Sequence, residues 1–324
     1  MFSWQLADGY TIDDLVQVKL PTPDPGPGEL LIRVERAALN FSDLLMIAGT
    51  YQVKPTRPFT PGQEVAGIVV AVGEGTSCAV GQRVASKVFW GGFAEFTIIR
   101  ENMVILIPDR VSMSDAVVLP VVYTTAVIAL QHCVQIKADD RVLIHASAGG
   151  VGLAAVQIAQ HLGAKIFATA GSDYKCKVAQ EHGAELVFNY LDEDWQSELM
   201  NATEGKGVNV VFDPVGGDVT QASLSCLAWQ GQLLIVGFSS GNVPYIPAHR
   251  LLLKRASVVG VYWSHEKDQP LIGAIGRQLA KFCEAGVIQP VTQDHYGFSD
   301  LQQALRDLRD RSTAGKLVVK INDQ

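Results

Sequence analysis

Ser147-Ala-Gly-Gly-Val-Gly152 lies between a short apolar stretch, residues 141–146, and a longer apolar run that reaches Leu162. That order predicts a buried strand, a tight glycine turn and a helix whose first N–H groups have no intrahelical acceptor. A helix start of this kind, at the positive end of the helix dipole, binds phosphate, and the spacing suits the pyrophosphate of a dinucleotide. Ala148, Gly149, Gly150, Val151 and Gly152 are the expected contacts. Only Gly149 and Gly152 match the second and third glycines of the dinucleotide fingerprint, because Ser147 stands where the first would be. A glycine-rich strand-to-helix turn without a ligand stays open on the motif alone.

The end of the next strand, residues 165–170, bears on which dinucleotide is bound. Domains selecting NADH place an Asp or Glu here, about twenty residues beyond the glycine turn, to grip the ribose diol. This strand ends Ala168-Thr-Ala170 and continues Gly171-Ser-Asp-Tyr-Lys175, with no acid at its end. Ser172 and Lys175 can meet a 2′-phosphate instead, so NADPH is expected. Asp173 would favour NADH if the strand ran longer.

Further strands are expected at 185–189, 208–213, 232–236 and 257–261, with helices between the first five. Strands and helices alternating at this spacing predict a doubly wound parallel sheet with right-handed crossovers. Before residue 116 the texture changes. Strand-like runs at 29–39, 67–72, 83–88, 93–100 and 103–107 are separated by Gly, Pro and polar turns, with one short helix at 42–48. This half reads as a compact, mostly antiparallel barrel. Ser114 is expected to cap a long helix leading out of it, with Asp115 in the first turn. The tail should contain a helix at 270–285, a strand near Val291, a helix capped by Ser299 and a last strand at 316–321. It is too small to fold alone and should pack back on the barrel. The fold class is therefore α/β: a barrel domain of residues 1–118 and 264–324, and a doubly wound nucleotide domain of residues 119–263.

Composition bounds the function. A chain of 324 residues, 48% hydrophobic and 18% charged, can bury two cores. A net charge of −7 without Lys/Arg runs argues against a general nucleic-acid binder. Five scattered cysteines without a C-x-x-C pair suit reduced thiols and a cytoplasmic protein. Residues 1–8 lack the basic-then-apolar order of a secretory signal. Residues 116–136 carry no charge, but Pro120, Thr124, Thr125, Gln131, His132 and Gln135 suit a buried helix better than a lipid-facing one. A soluble protein without a membrane partner is expected.

Several segments, in this order and spacing, resemble the medium-chain dehydrogenase/reductase superfamily. They include Leu39-Asn-Phe-Ser-Asp43, Gly49-Thr-Tyr51, Pro61-Gly62, residues 119–126 and 146–152, Asp213-Pro-Val-Gly-Gly217, residues 231–238 and Leu251-Leu-Leu-Lys254. Within it the chain is similar to the zinc-independent NADPH:quinone oxidoreductases, the zeta-crystallin-like branch. The resemblance covers essentially the whole chain. It implies a GroES-like catalytic barrel followed by a Rossmann domain, and metal-free hydride transfer from NADPH to a quinone.

It also implies roles. Asn40 and Tyr51 would face the acceptor, and Ser42 would stand where relatives have a proton-relay hydroxyl, unless it caps the short helix. Thr125, Val215, Gly216 and Phe238 would lie near the nicotinamide, and Tyr190 near the 2′-phosphate. Phe93, Tyr245, Tyr262 and Trp263 are possible apolar walls. Zinc-dependent relatives hold their metal with cysteine, histidine and cysteine. The matching positions here are Asn40, Gln63 and about Val121, so no metal is expected. His132, Cys133 and His145 are read as core or edge residues rather than ligands. A homodimer joined at the last strand of the parallel sheet is expected, with a tetramer as the alternative. Two alternatives stay open: reduction of an enone, alkenal or enoyl thioester, and a non-catalytic NADPH-binding protein with a structural or RNA-binding role.

Overall fold

The computed structural model describes residues 1–191 and 194–322. Residues 192–193, within the expected nucleotide domain, and 323–324, at the end of the expected barrel tail, lie outside the described residues. The chain divides into two compact units, Met1–Thr124 with Ser264–Gln324, and Thr125–Trp263. The first division falls after Thr124 rather than after residue 118.

In the second unit six parallel strands lie in the order Leu186–Asn189, Lys165–Ala170, Arg141–Ile144, Val208–Asp213, Leu227–Ile235, Ser257–Gly260. Along the chain these are the third, second, first, fourth, fifth and sixth strands, the doubly wound order. Val142, Leu143 and Ile144 are wholly buried, as a strand covered on both faces requires. The helix Gly150–His161 buries every residue from Gly152 to Ala159, all small or aliphatic except Gln157. The fifth strand starts at Leu227, earlier than the sequence suggested, with a register irregularity against Val208–Asp213.

The first unit is built around Glu29–Ala38. This strand pairs antiparallel with Glu64–Val72, Phe96–Arg100 and Lys316–Lys320. Arg83–Lys87 and Val104–Leu106 extend the sheet on one side, and Thr292–Gly297 pairs parallel with Lys316–Lys320 on the other. The tail is thus part of the barrel unit. An N-terminal hairpin pairs Phe2–Leu6 antiparallel with Leu15–Lys19. Phe93 is fully buried among Leu6, Leu30, Ile32 and Ile99, which makes it core rather than a substrate wall.

Three helix starts differ from expectation. Ser112, not Ser114, caps Met113–Ala116, its hydroxyl accepting from Asp115 N at 3.0 Å; Ser114 Oγ donates to Asp294 instead. The tail helix His265–Glu284 begins at a Ser264 cap well before Pro270, with Glu266 and Asp268 favouring its first turn. Asp300, not Ser299, precedes Leu301–Arg309. The helical stretch Met113–Cys133 is long and apolar enough to cross a membrane, and most of it is buried inside the fold. It widens into a π-helical turn over Leu119–Tyr123, where Pro120 has no N–H to give.

Candidate active site

In the second unit the expected cofactor residues other than Thr125 follow the carboxyl ends of strands, where open parallel sheets bind ligands. The turn after Arg141–Ile144 is closed by Ser147, whose backbone N–H and hydroxyl both donate to Thr169 O at 3.0 Å. Ser147 therefore fixes the turn by a side-chain bond where a first glycine would fix it by conformation. Gly149 is the N-cap of Gly150–His161 and offers no side chain; its N–H is already bonded to Ala146 O at 2.9 Å. The N–H groups open to an anion are those of the first helical turn, Gly150, Val151 and Gly152. Ala148 is buried beneath the turn. A Cβ on Gly152 would sit 2.3 Å from Ala146 O, so only glycine lets this helix approach the strand so closely.

Beyond the second strand, Ser172 caps Asp173–Glu181 by accepting from Lys175 N at 3.3 Å. Tyr190 leans over this start. A Cβ on Gly171 would lie 2.3 Å from its hydroxyl, and Tyr190 N donates to Ala170 O at 3.0 Å. Ser172, Lys175 and Tyr190 thus share one strand end. Asp173 is the first helical residue, and its carboxylate accepts from Asn189 Nδ2 at 3.1 Å. The strand stops at Ala170, short of Asp173.

After the fourth strand, buried Asp213 organises the loop. One carboxylate oxygen accepts from Val215 N and Gly216 N, at 2.8 and 3.0 Å, and the other accepts from Thr220 Oγ1. Ser239 N and Ser240 N donate to Pro214 O and Val215 O, which holds the Phe238 loop against Val215 and Gly216. Thr125 Oγ1 accepts from the Trp263 indole N–H at 3.0 Å, so the buried Trp263 anchors Thr125. Tyr245 and Tyr262 are exposed.

His145 is wholly buried between Ser223 Oγ at 2.7 Å and Thr169 Oγ1 at 2.9 Å. Ser223 gives its own proton to Val219 O, so Nε2 donates to Ser223 and Nδ1 accepts from Thr169. Burial pushes the imidazole down to about 4, against the pull of Asp213. It is a satisfied neutral core residue.

The first unit holds a buried polar cluster. Asn40 precedes the helix Phe41–Ile47 and its backbone N–H donates to Asp43 Oδ2 at 2.7 Å, so Asn40 is the N-cap and Ser42 is not. Ser42 Oγ donates to Gln63 Oε1. Asn40 Nδ2 donates to Glu64 Oε2 at 3.1 Å and more distantly to Ala38 O at 3.4 Å; Lys316 Nζ donates to Asn40 Oδ1. The second Glu64 oxygen accepts Val121 N at 2.8 Å. Burial raises Asp43 to about 7, opposed by the Asn40 N–H and by Lys316. Tyr51 is half-buried against the core of this unit, with its N–H on Leu45 O. Glu64, Lys316 and Asp213 were not singled out for roles in the sequence. Asp213 opens a quoted motif, whereas nothing in spacing links Lys316 to Asn40.

Residues 26–109 match the alcohol dehydrogenase GroES-like domain and residues 150–277 the zinc-binding dehydrogenase domain. The chain is 36% identical to quinone oxidoreductase-like protein 2 of Rattus norvegicus, over 94% of this chain and 88% of that one. It is 31% identical to quinone oxidoreductase of Homo sapiens, over 93% and 91%. The solved structure of Escherichia coli quinone oxidoreductase complexed with NADPH is similar at a TM-score of 0.91 and 30% identity, over 99% and 100%. The chain belongs to the quinone oxidoreductase-like medium-chain dehydrogenases/reductases. It is an oxidoreductase with the GroES-like and Rossmann parts of that family.

Although one of the matched domains is described as zinc-binding, the residues at the expected zinc positions of this quinone oxidoreductase-like chain do not fit the metal. Asn40 and Gln63 offer amides already committed to neighbours, and Val121 contributes only a backbone N–H. The Lys316 ammonium bonded to Asn40 would repel a second cation.

Proposed function

We propose that the protein reduces quinones with NADPH and without a metal. The observation that carries the cofactor is the paired strand ends of the second unit. Gly150–Gly152 present free N–H groups at a helix start with no capping side chain, and Ser172, Lys175 and Tyr190 gather just beyond the neighbouring strand, which stops at Ala170 without a terminal acid. NADPH, when bound, supplies a hydride from nicotinamide C4. The first-turn N–H groups hold the pyrophosphate, and Ser172, Lys175 and Tyr190 hold the 2′-phosphate. Thr125, Val215, Gly216 and Phe238 serve the nicotinamide end.

Asn40, Ser42 and Tyr51 serve the acceptor. They are uncharged donors, which suits an acceptor that is easily reduced and needs little acid assistance. The names of the relatives at 31–36% identity favour a quinone. We further propose a cytoplasmic homodimer: no disulfide joins the cysteines among the described residues, and the sheet edge Ser257–Gly260 is flanked along the chain by exposed apolar side chains.

The test is NADPH consumption by chelator-treated protein with an ortho-quinone, beside a simple enone at matched concentration. Rapid turnover of the quinone alone is expected. Preference for the enone would assign the protein to double-bond reduction instead.

A further inference from the structure

Three side chains from distant parts of the first unit form a closed triangle. Lys316 Nζ lies 3.1 Å from Glu64 Oε2 and donates to Asn40 Oδ1, while Asn40 Nδ2 donates to the same Glu64 oxygen at 3.1 Å. The Lys316 and Glu64 side chains are only 7% and 0% exposed. The geometry fixes the Asn40 amide. An ammonium accepts nothing, so it must face the amide oxygen; a carboxylate donates nothing, so it must face the NH2. The second Asn40 N–H makes only the 3.4 Å contact with Ala38 O, a bond long enough to exchange for another acceptor.

We infer that Lys316 is a positioning residue for the hydride transfer, its buried ammonium aiming and polarising the Asn40 amide as a donor to the acceptor's carbonyl oxygen. The inference rests on the proposed reduction of a carbonyl-bearing acceptor. Hydride delivery leaves negative charge on that oxygen, and a donor polarised by a fixed cation in a dry site stabilises it more than a free amide would. Glu64 completes the device by holding the ammonium, and is itself pinned by Val121 N. Asp43 also faces Lys316 and Glu64, and Lys87, which lies against His265, faces Glu64. The net charge of the cluster therefore depends on Lys316.

The test compares Lys316→Met, Lys316→Arg and the double variant Lys316→Met/Glu64→Gln, each for kcat, KM and NADPH affinity by fluorescence titration. Lys316→Met should lower kcat on the order of a hundredfold, the cost of a displacement of about 1 Å, at unchanged NADPH affinity. Lys316→Arg should recover most of it. The double variant removes the Lys316–Glu64 charge pair together rather than stranding one member of it, so it should fold even if the single one does not, yet stay as slow. Wild-type kcat in Lys316→Met or in the double variant would overturn the inference, since Lys316 would then only neutralise Glu64. So would a loss confined to NADPH affinity. If the wild-type protein turns over the enone and not the quinone, the quinone reading fails and the same comparison is made on the enone, whose carbonyl also gathers charge. Silence of NADPH-bound protein on both acceptors overturns both.

Discussion

Lys175 and Asp43 show what single residues do in the two units, one for cofactor choice and one for stability. Lys175 sits in the first turn after an acid-free strand end, beside Ser172 and Tyr190. Removing one ammonium from a phosphate site should weaken NADPH binding about tenfold to a hundredfold, or roughly 1.4–2.8 kcal/mol, and leave NADH nearly unchanged. Fluorescence titration of Lys175→Ala with both nucleotides checks this, and equal losses would remove Lys175 from the site. Asp43 works by burial. Its carboxyl is raised from 3.8 to about 7, chiefly by desolvation, and its Oδ1 has no hydrogen-bond partner. A carboxyl that ionises later in the folded chain than in the unfolded one contributes its full stability below the unfolded value. That contribution is lost as pH rises through about 7. Asp43→Asn cannot ionise, so its stability relative to wild type should improve by on the order of 1–3 kcal/mol between about pH 5 and about pH 8. Denaturant unfolding at the two pH values reads the difference; a constant gap would show that Asp43 titrates normally.

Elements explain why part of this was legible in the sequence and part was not. The parallel sheet declares itself locally, because its central strands carry buried apolar runs, Val142–Leu143–Ile144 and Val210–Val211–Phe212, and crossover helices begin at a small or polar cap: Gly149, Ser172, Gly216. The glycine-turn helix is the clearest case. Gly152→Ala would press a methyl group against Ala146 O, which should cost about 1–3 kcal/mol and weaken NADPH binding, as thermal melts with and without nucleotide would reveal. Wild-type melting in both conditions would mean that the turn tolerates a wider gap. Helix boundaries were less legible because serines recur. Ser112 and Ser114 both precede Asp115, and only the fold shows that Ser114 is drawn away to Asp294. The Lys316–Asn40 bond joins residues 276 positions apart, across a pairing of the last strand with Glu29–Ala38 that no local periodicity encodes. The sequence places Asn40 facing the acceptor; what it does not encode is the grip of Glu64 and Lys316 on the amide.

At the scale of the whole molecule the open question is what covers the edge of the parallel sheet. Among the described residues Ser257–Gly260 pairs only with Leu227–Ile235, leaving its other side without a strand. Unpaired edges recruit further strands unless they are blunted or covered. Flanking it along the chain are Leu252, Leu253 and Tyr262, which are 79%, 75% and 85% exposed. Large apolar side chains grouped beside an open edge mark an interaction surface rather than ordinary scatter. A second copy can satisfy such an edge by a two-fold axis that pairs it with itself, burying both apolar sets at once. Leu252→Glu with Leu253→Glu would place four like charges at that contact and should shift the protein from dimer to monomer at micromolar concentration, as light scattering after gel filtration would report. The cofactor residues of the second unit lie at other loops, so NADPH affinity should survive the change. If the unsubstituted protein already runs as a monomer, the edge serves something other than self-pairing and the dimer proposal falls.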